Sequence, residues 1–591
     1  MSSQSRPVLD KSPSNSKSRT NTRKERPLTD REYADRVKSY ARLSTGQHYH
    51  SLANFLFAPY QRNVSINTTS KPEKKLEPEK ERFVTMYTFH GQGSPQTHQI
   101  SSPLEFSQAA DTAENLNTII FLRGHQPPEM LNAIGARYRV DPEFFRQHLD
   151  ITTRTTRYGV IPSTSLASSS KNILRLPSVT LASRSSSSEI IQPHHQGIVS
   201  RIRDETARLM DAHVDRYLQN REACLRSGTS IVRNLSVHNP QHFSLEQEIS
   251  IYVAPYGREW ISIIWLDAGS DLGQDQHGPW QAKTLQCESW EVQFHPIVQH
   301  RPGVALDSKH LLRRTTNFEV MNEKESSRLL QTAARLHRNY GENLDHETMT
   351  VDPFYALTEI FAFVASSEAQ LLALLQLSLD RELTIELLSP YSLQTRSALW
   401  NLVYNKQFLD AHLRRLQDIG SFLDNRMKIV DWPCTSTPTT QKISSDAAEK
   451  LRLDYAHLIA RARELSAAFD DGMNILQNNS MIAESQKAIQ QAEGVAKLTG
   501  LAFFFIPLSL TASIFGMNVR QFTDGGSQSI WVWIVTSTVT LLFSYLALNW
   551  GNWRLTERMK HVRFKKRQKQ KRSIPSPAQV FQEFGKGDVG V

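Results

Sequence analysis

Cysteine is nearly absent from this chain. Only Cys224, Cys287 and Cys434 occur among 591 residues, and no two are spaced as a CxxC ligand pair. That excludes a disulfide framework and a cysteine zinc site, and it points to a reducing compartment. No GxxxxGK[ST] loop is present to cradle phosphates, and spacing reveals no Ser/His/Asp arrangement. His346-Glu347-Thr348-Met349-Thr350 begins like the HExxH of zinc proteases but lacks the second histidine, so it offers no ligand pair. His194-His195 and His48/His50 fall in expected loops, where solvated histidines are commoner than ligands. No catalytic constellation emerges. The chain is read as no enzyme, without an organic cofactor.

A body-wide basic face is also lacking, although the net charge is +10. Residues 1–80 carry a surplus of +8 and residues 554–572 a surplus of +9, which leaves the remainder at −7. A mildly acidic body with two basic arms argues against nucleic acid as a partner. Residues 1–82 show little apolar periodicity, lack the continuous apolar stretch of a secretory signal peptide, and are expected to be a disordered basic arm.

Between 83 and 325 the sequence alternates strand-like and helix-like pieces. Phe83–Phe89, Thr118–Leu122, Ile249–Val253 and Trp260–Leu266 are rich in β-branched and aromatic residues. Proline at 128 and at 142 introduces two helical stretches, PEMLNAIGARYRV and PEFFRQHL. A Ser-rich insert near 161–190 reads as a mobile loop. Helical periodicity then dominates residues 326–497, a bundle and stalk. The apolar run Phe354–Leu379 is long enough to cross a membrane. It contains Glu359 and Glu368 and has no flanking basic cluster, so it is assigned to a buried helix capped by Asp352 with Pro353 in its first turn. The next helix is expected to begin near Asp446. Its apolar residues Leu451, Tyr455, Leu458, Ala462, Leu465, Phe469 and Leu476 form a seam with coiled-coil-like steps.

Long runs that are both uncharged and predominantly apolar occur only near the C-terminus. Leu498–Phe515 and Ile530–Leu548 are each close to the ~20 residues that span about 30 Å of hydrocarbon, and Trp531, Trp533, Trp550 and Trp553 sit at their ends. This predicts a first transmembrane helix over 498–516, an outer loop over 517–529, a second helix over 530–548 and a basic cytosolic tail over 549–591. By the positive-inside rule both termini are cytosolic. Two helices cannot enclose a pore, so conduction requires an oligomer. In the first span Thr499, Ala502, Ile506, Ser509 and Ser513 recur at steps of three or four. Such a stripe suits a narrow pore lining and equally suits a helix–helix contact.

The segment FFFIPLSLTASIFGMN, which ends in Gly516-Met517-Asn518, resembles the first transmembrane helix and Gly-Met-Asn signature of the CorA magnesium-transporter superfamily. TIIFLRGHQPPEMLNAIGARYRVDPEFFRQHL resembles fungal CorA-like proteins. The resemblance implies a CorA-like funnel: an α+β or α/β cytosolic domain, long stalk helices and a C-terminal two-helix transmembrane hairpin, assembled as a homopentamer. It implies passive passage of a divalent cation, Mg²⁺ foremost, through a pore along the first span. Gly516, Met517 and Asn518 would form the entrance ring. Val495, Leu498 and Ile506 would be apolar gates, and Ser509 and Ser513 would line the conduit. Mg²⁺ sheds water reluctantly, so neutral amide oxygens at Asn518 suit a hydrated ion. The sequence departs from many bacterial members in the loop VRQFTDGGSQS, where Asp524 is the sole carboxylate and Arg520 follows Asn518 by two residues. Zinc-exporting relatives share the signature, and a membrane-tethered scaffold without conduction is the competing reading. On the stalk, Asp454, Glu464, Asp470 and Asp471 are candidates for a regulatory Mg²⁺ sensor between subunits, or simply a solvated helix face. The expected setting is a multi-pass membrane protein in contact with lipid, in the plasma membrane rather than an organelle.

Overall fold

The computed structural model describes residues 28–61, 82–89, 95–150, 166, 168–186, 198–220, 226–274, 278–281, 290–300, 331–388, 395–429, 432, 437–516 and 531–546. The chain divides into two units, Met1–Gln477 and Asn478–Val591.

The first unit is built on a mixed eight-stranded sheet. Its strands are β1 (Val84–Phe89), β2 (Gln96–Ile100), β3 (Asn117–Arg123), β4 (Ile173–Ser186), β5 (Asn234–Val237), β6 (His242–Tyr256), β7 (Glu259–Leu266) and β8 (Trp290–Phe294). The order is β2-β1-β3-β7-β6-β4-β8, with β5 also paired to β6. Only β3 and β7 run parallel, with Ile119 opposite Ser262 and Phe121 opposite Ile264. The central strands are buried on both faces, as a sheet covered on both sides requires. Alternate residues separate cleanly: Val84, Met86, Ile120, Leu122, Ile263 and Trp265 join one cluster, while Tyr87, Phe89, Ile119, Phe121, Ile264 and Leu266 join the other.

The first of these clusters is covered by α1 (Asp30–Ala41), α2 (His50–Gln61), α3 (Pro103–Thr112), α4 (Pro128–Tyr138) and α5 (Pro142–Leu149). Here two sequence expectations are corrected. Asp30–Ala41 and His50–Gln61 are helices, joined through a 3-10 turn at Ser44–Tyr49, rather than part of a disordered arm. Thr29 and Glu32 form a reciprocal capping box, and Tyr33, Ala34, Val37, Leu52, Phe55 and Leu56 are buried. Within the Ser-rich insert Ile173–Ser186 is a strand, because β4 pairs with β6 on one side and β8 on the other; residues 187–190 lie outside the described residues. Backbone pairing there does not depend on apolar side chains, and Ser178 and Thr180 are themselves buried. Beside it, α6 (Ile198–Asn220) lays Ile202, Met210, Val214 and Tyr217 on β5 and β6.

The opposite face holds α7 (His346–Val351), α8 (Pro353–Leu388), α9 (Thr395–Ile429) and the first part of α10 (Pro438–Gly516). Asp345 caps α7 through the Thr348 N–H, so the HETMT segment is the start of a short helix. Asp352 accepts from the Phe354 N–H at 2.8 Å, as expected for the α8 cap. Glu368 of α8 is fully buried with His412 Nδ1 of α9 3.0 Å from its carboxylate. α10 begins eight residues before Asp446, where Thr437 precedes Pro438 and accepts from the Thr440 N–H at 3.4 Å. All seven seam residues from Leu451 to Leu476 are buried, and they pack into the chain's own core with α8 and α9. Gly472 allows the close approach: a Cβ there would lie 3.1 Å from Leu379 Cδ1.

The second unit contains the rest of α10 and α11 (Trp531–Leu546).

Candidate ion pathway

After Lys497, α10 carries no Asp, Glu, Lys or Arg as far as Gly516, and α11 carries none at all. Most side chains there are exposed, among them Leu498 (69%) and Phe543 (75%). In water that surface would be costly, since soluble chains seldom expose contiguous apolar area on this scale. Hydrocarbon reverses the sign, provided that no polar group is left unbonded. Several hydroxyls meet that condition within their own helices. Thr499 donates to the Val495 carbonyl (2.8 Å), Ser509 to Ile506 (3.3 Å), Thr538 to Ile534 (2.7 Å) and Thr540 to Thr536 (2.6 Å).

At ~100° per residue, Thr499, Ala502, Ile506, Ser509 and Ser513 fall within an arc of about 80° on α10. All but the half-buried Ala502 are exposed, and so are Val495 and Leu498. Thr511 lies about 160° from the middle of that arc. Its Oγ1 is 3.0 Å from Ser537 Oγ of α11, and these two are the only buried side chains among the described residues of 498–516 and 531–546. Thr511 Oγ1 also donates to the Leu508 carbonyl (2.9 Å). The less exposed residues of α11, Trp533, Thr536, Ser537, Thr540, Leu541 and Ser544, fall on one helical face around this contact. On the flank of the arc, Phe505, Ile506, Leu508, Ser509, Ala512 and Trp533 border a surface cavity of about 290 Å³.

Gly516 is the last residue of α10, and among the described residues nothing comes within 4 Å of where a Cβ would stand. Met517, Asn518, Arg520 and Asp524 lie outside the described residues, as does the basic tail. Asp454, Glu464, Asp470 and Asp471 are exposed along α10, with Asp470 3.5 Å from Lys406 Nζ. Among the described residues no three His, Cys, Asp or Glu side chains gather as a metal site.

The first unit does assemble one constellation that spacing hid. Ser250 Oγ is 2.8 Å from His148 Nδ1, and His148 Nε2 is 3.1 Å from Asp267 Oδ1. Arg233 donates to both oxygens of Asp267 at 2.6 and 3.1 Å, and the Glu248 N–H donates to it at 2.7 Å. His148 stacks on Trp265 at 4.1 Å; burial lowers its pKa, partly opposed by Asp267. Ser250, His148 and Asp267 are all 0% exposed, so no substrate reaches the hydroxyl in this conformation. The cluster ties α5 to β6 and the end of β7.

No curated protein matches the chain. Residues 421–550, which take in the end of α9, all of α10 and α11, match the family described as CorA-like Mg²⁺ transporter protein, and that match implies an integral membrane protein.

Proposed function

We propose that the chain is a passive divalent-cation channel, with Mg²⁺ as its foremost cargo, in which the Thr499/Ala502/Ile506/Ser509/Ser513 face of α10 lines the conduit of a homo-oligomer, five subunits being the expected number. The observation that carries this reading is the disposition of α10. The face that meets α11 is the one bearing Thr511, nearly opposite the stripe, so the stripe is left for an axis shared with other copies. The family match over the same residues supplies the chemical class.

Val495, Leu498 and Ile506 supply apolar rings that close by excluding water. Gly516, Met517 and Asn518 form the mouth, where amide oxygens hold a hydrated ion without binding it too tightly to release. The driving force is the membrane potential, about 2.3 kcal/mol per charge per 100 mV. Both termini then face the cytosol, and the basic tail rests on anionic lipid. Regulation through Asp454, Glu464, Asp470 and Asp471 would require a second subunit to complete each site.

The competing reading is a membrane-tethered scaffold, favoured by Arg520 and by a loop with one carboxylate. Mg²⁺ uptake by a transporter-deficient cell separates the two. Asn518→Ala is expected to cut uptake by orders of magnitude at equal surface expression, because every subunit loses an amide at the ring, each hydrogen bond contributing on the order of 1 kcal/mol. Gly516→Ala also impairs uptake, whereas Arg520→Glu leaves it unchanged or raises it by removing positive charge from the mouth. Undiminished uptake by Asn518→Ala sinks the entrance ring. Uptake of Zn²⁺ in preference to Mg²⁺ reassigns the cargo within the same mechanism.

A further inference from the structure

In hydrocarbon two apolar helices slide and rotate past each other with little penalty, because lipid tails replace side chains at no loss. Something else must fix which face of α10 is turned toward α11. The described part of the second unit offers one such feature. Thr511 and Ser537 are its only buried side chains in the two apolar helices, and their hydroxyls are 3.0 Å apart. Either hydroxyl can donate across the pair, and Thr511 Oγ1 also lies 2.9 Å from the Leu508 carbonyl oxygen. Rotating α10 by one residue, about 100°, would carry Thr511 off this partner and bring Leu510 or Ala512 in its place. Neither can accept a hydrogen bond, and Ser537 would be left against an apolar side chain.

We propose that Thr511 and Ser537 act as a rotational lock, a positioning pair that keeps the stripe of α10 turned away from α11. The inference rests on the reading of that stripe as the conduit lining. Neither residue touches the ion. Their effect on flux runs through the orientation of Ser509, Ser513 and Ile506.

The test uses the full-length chain in native membranes. Thr511→Val removes the hydroxyl at constant shape, Thr511→Ser keeps it, and Ser537→Ala removes its partner. Thr511→Val and Ser537→Ala should each lower Mg²⁺ flux per surface molecule about threefold, the equivalent of an average interhelical hydrogen bond in a membrane. The double variant should also lose about threefold rather than about ninefold, because the two act as one unit. Thr511→Ser restores the flux. In a further arm both positions become cysteine. Hydroxyl oxygens 3.0 Å apart make the two positions neighbours across the helix pair, and a disulfide there needs Cβ atoms ~3.5–4.5 Å apart. Oxygen with a copper catalyst takes two hydrogens from the thiols, and peptide mapping distinguishes the product from any bond to Cys224, Cys287 or Cys434. Flux should be near wild type in the oxidised form and threefold lower after reduction, a redox-dependent recovery that a merely structural contact would not give. Flux in the wild type with no disulfide, or with additive losses, overturns the lock and leaves the transport reading intact. A disulfide in high yield with no wild-type flux for any divalent cation sinks the transport reading and leaves the lock standing.

Discussion

Among the described residues two long helices, α8 and α10, are apolar enough to cross a membrane, and they lead opposite lives. In the most apolar stretch of α8, 61% of residues are buried; in that of α10, 6% are. Serine and threonine do not distinguish them. In α8, Ser366 donates to the Ala362 carbonyl and Ser378 to Leu374, just as Thr499 donates to Val495 in α10. A hydroxyl satisfies itself within a helix in either medium. Carboxylates do distinguish them. Glu359 accepts from the Gly341 N–H at 2.9 Å and from Asn343 at 3.2 Å, while Glu368 is held by His412. Both find partners that only a protein core supplies. A lipid-facing helix has none to offer, and the end of α10 contains no carboxylate.

The comparison breaks first at Glu368. His412→Ala deprives a fully buried carboxylate of its hydrogen bonds, which typically costs about 3–5 kcal/mol. The thermal midpoint of the purified protein should fall markedly. Changing both Glu368 and His412 to leucine should recover most of the loss, because no uncompensated charge then remains. If His412→Ala melts with the wild type, the carboxylate is not what marks α8 as a core helix.

A second substitution pair sharpens the medium itself. Leu453 and Leu542 are almost equally exposed, at 60% and 61%. Leu453 lies in the first unit and faces water, so Leu453→Asp should change stability by less than ~0.5 kcal/mol. Leu542 lies in α11, and in a bilayer Leu542→Asp should cost about 3 kcal/mol of insertion free energy. Alkaline extraction of membranes reads the difference: Leu542→Asp should shift protein into the soluble fraction and Leu453→Asp should not. Equal tolerance at both positions would mean that α11 does not sit in lipid.

Much of this was legible before the fold was known, for reasons that can be assigned. Pro128 and Pro142 fixed the starts of α4 and α5, since proline suits the first turn of a helix. The seam from Leu451 to Leu476 is buried at every named position. α1 was missed because its flanking residues are Ser-, Arg- and Lys-rich, although Thr29 and Glu32 already spelled a capping box. β4 was missed because its serines conceal a strand whose partners, β6 and β8, are distant in sequence. The stripe on α10 could be read from its steps, but which face α11 would cover could not, because Thr511 becomes special only beside Ser537. The Ser250–His148–Asp267 cluster likewise draws on three elements with no common spacing.

The smallest of these effects separates the two regions by acidity. No side chain from Leu498 to Gly516, or in α11, titrates below neutral pH. The first unit contains His238, fully buried, with Nδ1 3.0 Å from Asn405 Oδ1 and Nε2 2.8 Å from Ser244 Oγ. Burial is the main cause that lowers its pKa from 6.5 to about 4; Asn405 opposes this, and Arg203 and His412 add to it. The folded state therefore takes up the proton at lower pH than the unfolded chain does. The stabilisation is present above pH 6.5 and is lost as pH falls toward 4, since the unfolded chain binds more protons throughout that window. Between pH 7 and pH 5 this one group should remove about 2 kcal/mol. His238→Gln has an amide that donates and accepts but does not titrate. It should start somewhat less stable at pH 7 and lose about 2 kcal/mol less on going to pH 5, as read by denaturant midpoints at the two values. Membrane association, measured in the same samples, should stay constant. If His238→Gln shows the same acid dependence as the wild type, the proton goes elsewhere, and His337, whose pKa burial lowers to about 3, is the next group to replace.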